Sequence, residues 1–124
     1  MVAWGSVPYG GSLPFSVVDS STIEPGPGPH PAASPYDKRI TETLGVSAFE
    51  IYKIELPAGA STEPHDHLTD DVEDVYAIVR GSGWLVVDGE RTPLGVGTFV
   101  AVTKESTRQV TAGDDGCELI AICA

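Results

Sequence analysis

From Gly45 onward the chain is a succession of short β-forming runs cut by turn residues, and that pattern leaves few folds open. "AFEIYKIEL", "DVYAIVR", "WLVVD", "TFVAVT", "TRQVTA" and "CELIAICA" are rich in β-branched and aromatic residues, which suit a pleated, half-buried surface. "PAGAS", "GSG" and "DGE" supply turns between them. Roughly six to eight strands at this spacing predict a sandwich or a small barrel. No crossover helix fits between them, so a parallel α/β fold is excluded. In "AFEIYKIEL" the apolar parity shifts between Ile51 and Tyr52, so either both faces are covered or a bulge intervenes.

The first 45 residues read differently. "EPGPGPHPAASP", Glu24 to Pro35, holds five of the ten prolines and predicts an extended, polyproline-like loop. "PFSVVDS" reads as a short edge strand. "YDKRITETLG" reads as a helix of about two turns, capped by Asp37 and ended by Gly45. The expected organisation is an N-terminal arm over 1–45, with its loop and helix packed on a barrel over 46–124. Trp4 and Tyr9 lie in a segment with no core of its own, and are expected to pack on a partner barrel.

Charge narrows the functions. Eighteen acids against seven Lys and Arg give a net charge of -11, which repels nucleic acid and anionic membranes. No apolar run approaches the ~20 residues that span a bilayer, and the N-terminal stretch lacks the basic lead-in of a signal peptide. Cys117 and Cys123, if on one strand, share a face but stand ~20 Å apart, beyond disulfide reach. They read as small buried residues of a reducing, cytoplasmic compartment, with pairing between two chains as the alternative.

One stretch carries chemistry. "PHDHLTDDVEDVYAIVRGSG", residues 64–83, packs two of the three histidines with five acids. On a strand, His65 and His67 point the same way and Asp66 points away. Two neighbouring imidazoles each need a hydrogen-bond partner or a metal. A solvated acidic turn also yields H-x-H, so the decisive question is whether a third ligand converges from another strand.

Gly59, five residues, His65-x-His67, then an acid before "VYAIVRG" resembles the first motif of the cupin family. Gly97 in "GTFVAVTKESTR" stands where that family's second motif begins. There the family's proline falls on Thr103, its next glycine on Glu105 and its metal-binding histidine on Arg108. The resemblance covers roughly residues 46–123. It implies a jelly-roll β-barrel, often dimeric, holding a divalent metal inside on three histidines and one glutamate.

Carried over residue by residue, the resemblance places the metal on His65, His67 and Asp74. Counting on from His67 reaches Asp71, whereas counting back from Gly81 reaches Asp74. The strand fixes the second position while the loop absorbs extra residues, which favours Asp74. Asp74, Tyr76, Ile78 and Arg80 then share the inward face. Asp71, Glu73 and His30 are the alternatives that replace or supplement Asp74. Asp70 and Asp71 otherwise read as a solvated acidic turn. Two histidines and a carboxylate suit iron, zinc, manganese or nickel.

Arg108 has three readings. It repels the cation, it pairs with Asp74 in the metal's place, or it anchors an anionic or oxygen-rich ligand. Tyr52 and Phe99 are expected on the pocket wall with Arg108, and Tyr76 is the candidate proton shuttle. Trp84 reads as a packing residue, with a dimer surface as its alternative. The expected function is a small-molecule site with a metal, as an oxygenase, isomerase, lyase or cyclase or as a binder. The alternative is a metal-free binding or sensor module in a homodimer.

Overall fold

The computed structural model describes residues 14–26 and 34–124. Trp4, Tyr9 and His30 lie outside them. The described residues form six strands, in the order β1 (Asp37–Arg39), β2 (Glu50–Leu56), β3 (Asp74–Val87), β4 (Glu90–Gly95), β5 (Phe99–Val102) and β6 (Arg108–Cys123). One short helix, α1 (Thr41–Leu44), sits between β1 and β2. All strand pairs are antiparallel, in the order β1-β2-β6-β3-β4, with β5 on the other edge of the first half of β3. The all-β expectation holds.

The long ribbon of β3 and β6 sets the shape. Its register runs from Asp74↔Cys123 to Val87↔Arg108, so both strands serve two layers of a roll. One end of the ribbon is flanked by β2 and β5, the other by β4 and by the segment around Ser61 and His65. The two strands expected on either side of "GSG" are therefore one, and so are "TRQVTA" and "CELIAICA". Each turn signal marks a bend within a continuous ladder.

Glycine makes that bend sterically possible. Gly81 has φ of 76°, and a Cβ there would lie 2.1 Å from the Gly116 carbonyl oxygen. A Cβ on Gly83 would lie 2.3 Å from the carbonyl oxygen of Thr111. The backbones approach more closely than any side chain allows. By contrast, Asp88 and Gly89 form a true hairpin turn, both at positive φ, between the paired Val87 and Glu90.

The core follows the two-residue period of the strands. Tyr52, Ile54 and Leu56 of β2 face inward with Tyr76 and Ile78 of β3 and Val110, Ala112, Cys117, Leu119 and Ala121 of β6. Full burial of a side chain such as Leu119 contributes about 1.5–3 kcal/mol. Ile51 is half-buried on the opposite face of β2, and β2 pairs with β6 in unbroken register. The parity shift at Ile51–Tyr52 thus reflects apolar residues on both faces and no bulge. The bulge lies in β3 instead, between Ile78 and Arg80. It turns Arg80 outward to bond Glu118, correcting its expected inward placement.

The N-terminal arm also departs from expectation. Asp37 is a strand residue, and α1 is a single turn with Ile40 at its N-cap and no side-chain cap bond. Gly45 does end it. "PFSVVDS" forms one isolated bridge residue, Val17, before a single 3-10 turn at Ser20–Thr22. Among the described residues no helix is long and apolar enough to cross a membrane.

If the bend depends on bare backbone, Gly81→Ala and Gly83→Ala each destabilise by more than about 2 kcal/mol. Gly95→Ala, where an added Cβ meets nothing within 4 Å, changes stability by less than about 0.5 kcal/mol. Urea unfolding of the three variants checks this.

Candidate functional site

The site forms where the start of β3 meets the start of β6. Asp74, the first residue of β3, faces inward and is 2% exposed. Arg108 opens β6 and is 1% exposed. An antiparallel bridge, His65 N–H to the Arg108 carbonyl at 3.1 Å and Arg108 N–H to the His65 carbonyl at 2.9 Å, sets His65 beside it. His67 is fixed by its own N–H, which donates to the Lys104 carbonyl at 2.9 Å. Residues distant in sequence therefore converge, which is the third-ligand condition that H-x-H alone could not meet.

Asp74 Oδ2 is the hub. It accepts hydrogen bonds from Arg108 Nη1 at 2.6 Å and from the Tyr76 hydroxyl at 3.0 Å. His67 Nε2 lies 2.8 Å from the same oxygen and His65 Nε2 3.7 Å from it. The other oxygen, Oδ1, is buried and accepts no hydrogen bond from a described residue. The imidazoles meet edge to face, with ring centroids 4.9 Å apart.

The outer nitrogens decide what the inner ones can do. His65 Nδ1 lies 2.9 Å from the Glu63 carbonyl, which only accepts, so Nδ1 carries the proton. His67 Nδ1 lies 2.9 Å from both oxygens of Asp70 and its Nε2 2.8 Å from Asp74 Oδ2, so both of its nitrogens face carboxylates. In neutral His65 the lone pair then sits on Nε2, the nitrogen turned toward Asp74; in His67 a cation at the site would take the place of a proton on Nε2 while Asp70 holds the Nδ1 proton. Metal-binding histidines are oriented in this way, with the far N–H held by a carboxylate or carbonyl. One ligand atom from each of His65, His67 and Asp74 lies within 4.8 Å of the others. The donor set fits a divalent cation: two imidazole Nε2 atoms and a carboxylate with one oxygen that no described donor satisfies.

Arg108 resolves to one of its three readings. Besides Asp74, its Nε donates to the Ser106 carbonyl at 3.1 Å and its Nη2 to the Thr103 carbonyl at 2.6 Å. It is committed to Asp74 and the loop before β6, and it does not line the cavity. It is a partner of Asp74, and the expected anchoring of a ligand by Arg108 is corrected. A guanidinium cannot ligate, and its charge opposes a cation. Asp70 adds a second carboxylate behind His67, so the fixed charges of Asp70, Asp74 and Arg108 sum to -1.

Burial alone would raise the Asp74 carboxyl. Contacts with His65, Cys123 and Tyr76 and the charge at His67 outweigh it, holding the group well below the usual carboxylate range. Burial, reinforced by the Asp74 charge, pushes the Tyr76 hydroxyl far above its ordinary value. Tyr76 donates its hydroxyl hydrogen to Asp74, beside the two imidazoles. Burial also raises the thiols of Cys117 and Cys123, both unpaired in disulfide terms. Burial lowers the His65 imidazole, but bonding to Asp74 and to the Glu63 carbonyl raises it further, and the net shift is upward.

A cavity of about 40 Å³ adjoins the two histidines and Asp74, walled by Tyr52, Ile54 and Leu119. Tyr52 stands where expected. Phe99 does not: it is 74% exposed on the outer face of β5, while Val100 and Val102 turn inward. Two residues escaped the sequence reading. Asp70 is not simply a solvated turn residue, since it holds His67; its only signal was a spacing of three from that histidine. Asp37, expected as a helix cap, is buried on the cavity wall. Asp71 instead pairs with Lys104 at the surface, and Glu73 is exposed.

No family model matches the sequence, and no curated protein matches it. Solved structures do. A cupin protein from Bacteroides fragilis is 27% identical with a TM-score of 0.65, over 71% of this chain and 75% of that one. A Cupin 2 conserved barrel domain protein from Salinispora arenicola is 25% identical, TM-score 0.62, over 70% and 72%. A sugar phosphate isomerase of the cupin superfamily from Silicibacter pomeroyi is 19% identical, TM-score 0.70, over 86% and 73%.

With its folded-state value depressed, Asp74 adds stability that is complete above about pH 4 and is lost as pH falls below it. The metal-free protein should show this acid loss, and Asp74→Asn should flatten it. Arg108→Met, which strands the buried carboxylate, should cost about 3–5 kcal/mol near neutral pH. Denaturant unfolding across pH 2–7 reads both.

Proposed function

Taking the chain as a small cupin-domain protein, we propose that it binds a divalent metal on His65, His67 and Asp74 and a small oxygen-bearing molecule in the adjoining cavity. The observation that carries this reading is convergence: both Nδ1 atoms are held by acceptors, and both Nε2 atoms turn toward a carboxylate with an unsatisfied buried oxygen. A bound divalent ion supplies a Lewis acid that polarises a ligand oxygen. The chain's residues do the rest. Asp70 and Glu63 hold the rings in orientation, Tyr76 and Arg108 fix the carboxylate, and Tyr52, Ile54 and Leu119 exclude water from the ligand's apolar side.

A second reading, a metal-free binding module, draws on the Arg108–Asp74 pair. At 2.6 Å and fully buried, the guanidinium already supplies the positive charge a metal would bring. The homodimer expected from the sequence also belongs to the proposal. The outer sheet face carries Val75, Val79 and Phe99 with exposures of 39%, 43% and 74%, beside half-buried Ile120 and Ile122. A contiguous apolar face of this kind suits association. Light scattering should give twice the chain mass of 13.0 kDa, and Phe99→Asp should return it to one.

Protein purified without an affinity tag, stripped with chelator and titrated with Zn²⁺, Mn²⁺, Ni²⁺ or anaerobic Fe²⁺ should bind one equivalent per chain. The His65→Ala/His67→Ala variant should bind none. Asp70→Asn should weaken binding about 10–100-fold without unfolding the protein. Equal binding by the double variant, or no binding by the parent, rejects the metal and leaves the module.

A further inference from the structure

The cavity beside the histidines is small. At about 40 Å³ it holds roughly three water-sized groups, since one water needs about 10–15 Å³. Sites that enclose a whole small molecule run to about 300–1,000 Å³. A ligand seated at the histidines therefore keeps most of its atoms elsewhere, and the register of the sheet shows where.

Rows of register partners cross the inner face of the roll. Arg39, Tyr52, Ala121 and Tyr76 form one row, and Glu50, Cys123 and Asp74 form the next. Tyr52, Ala121 and Tyr76 are buried in the core. The two-residue period turns Glu50, Cys123 and Asp74 to that same face. Cys123 stands midway along its row, with Asp74 on one side and Glu50 on the other. It lines the histidine cavity, and it also lines a second hollow of about 410 Å³. Arg39 and Glu50 wall that hollow from the sheet, and Val46, Ala48 and Phe49 wall it from the segment after α1. The two spaces meet at Cys123.

The outer hollow differs in chemistry from the inner one. Arg39 donates from Nε and Nη2 to Glu50 at 3.0 and 2.9 Å and from Nη1 to Glu42 at 3.2 Å, so its fork is engaged with carboxylates. Thr41 is buried, and its hydroxyl oxygen accepts from the Ile51 N–H at 2.7 Å. What the wall presents is Val46, Ala48 and Phe49, with the Phe49 side chain 36% exposed. An aromatic ring open to a hollow favours an apolar occupant.

We propose that the ligand has two parts: a compact oxygen-bearing head at the histidines, and an uncharged apolar tail that passes Cys123 and lies against Val46 and Phe49. Phe49 is then a specificity-determining residue that reads the tail. A second carboxylate at the tail's end would stand beside Glu42 and Glu50 and be repelled. The inference rests on the reading of the inner cavity as a ligand site and adds the substrate class, a small amphiphile charged or polar at one end only.

Acetate, hexanoate and hexanedioate, titrated by NMR into the zinc-loaded protein, test it. Each added methylene contributes up to about fourfold when buried, so hexanoate should bind at least about tenfold tighter than acetate. Hexanedioate, as long but charged at its far end, should lose most of that gain. Phe49→Ala should cut hexanoate affinity about threefold or more and leave acetate within about twofold. The Val46 methyl resonances should move with hexanoate and not with acetate, which locates the tail even should that variant not fold. Equal affinity for acetate and hexanoate, hexanedioate as tight as hexanoate, unmoved Val46 methyls, or an unchanged ratio in Phe49→Ala overturns the tail assignment alone. Binding of neither acid rejects the ligand site itself, and the tail with it. If zinc fails to bind, acetamide and hexanamide make the same comparison in the metal-free protein.

Discussion

A carboxylate buried inside a β-barrel needs compensation, and Asp74 recruits much of the surrounding structure to supply it. Taking one such charge out of water costs several kcal/mol even after relaxation. Arg108 answers with opposite charge, and Tyr76 and His67 close in on the same oxygen. Because the guanidinium also bonds two carbonyls, the loop before β6 is fixed by the same interaction. The His65 bridge to Arg108 then follows, and with it the placement of both imidazoles. The one side-chain oxygen this network leaves without a hydrogen bond from a described residue is Asp74 Oδ1.

The barrel brings these groups together through a mechanical device far from the chemistry. A ribbon of two long strands folds over at Gly81, Gly83 and Gly116, so its halves face one another across the core. Both Asp74 and Arg108 lie at strand starts, where alternation aims them inward without exposing the ladder. The N-terminal β1 adds a further edge and carries Asp37 into the same interior. The site is consequently a product of three separated stretches of chain, each held by main-chain hydrogen bonds.

Much of this was legible in the sequence, for physical reasons. The period of two set His65 and His67 on one face, and anchoring the count at Gly81 selected Asp74 over Asp71. Pairing of Arg108 with Asp74 was one of three open roles, since a guanidinium near a buried acid has that option. What escaped was whatever depends on local register or loop closure. The bulge after Ile78 reversed Arg80, and a parity one residue out put Phe99 on the outside. "GSG" looked like a turn because glycine marks turns and close backbone approach alike. Asp70 gave only its spacing of three from His67, and Asp37 gave none that pointed to the site: one reaches its histidine through a loop, and the other arrives on a strand that the sequence disguised as a helix cap.

The central claim is that His65 and His67 turn Nε2 toward Asp74 and present it to a divalent ion while Nδ1 keeps its proton. Long-range ¹H–¹⁵N correlation spectra of the imidazole rings, recorded with and without one equivalent of Zn²⁺, test it directly. The account predicts that in the zinc-loaded protein both rings are protonated at Nδ1 and coordinated through Nε2. Coordination through Nδ1, or ring spectra unaltered by zinc, would contradict it.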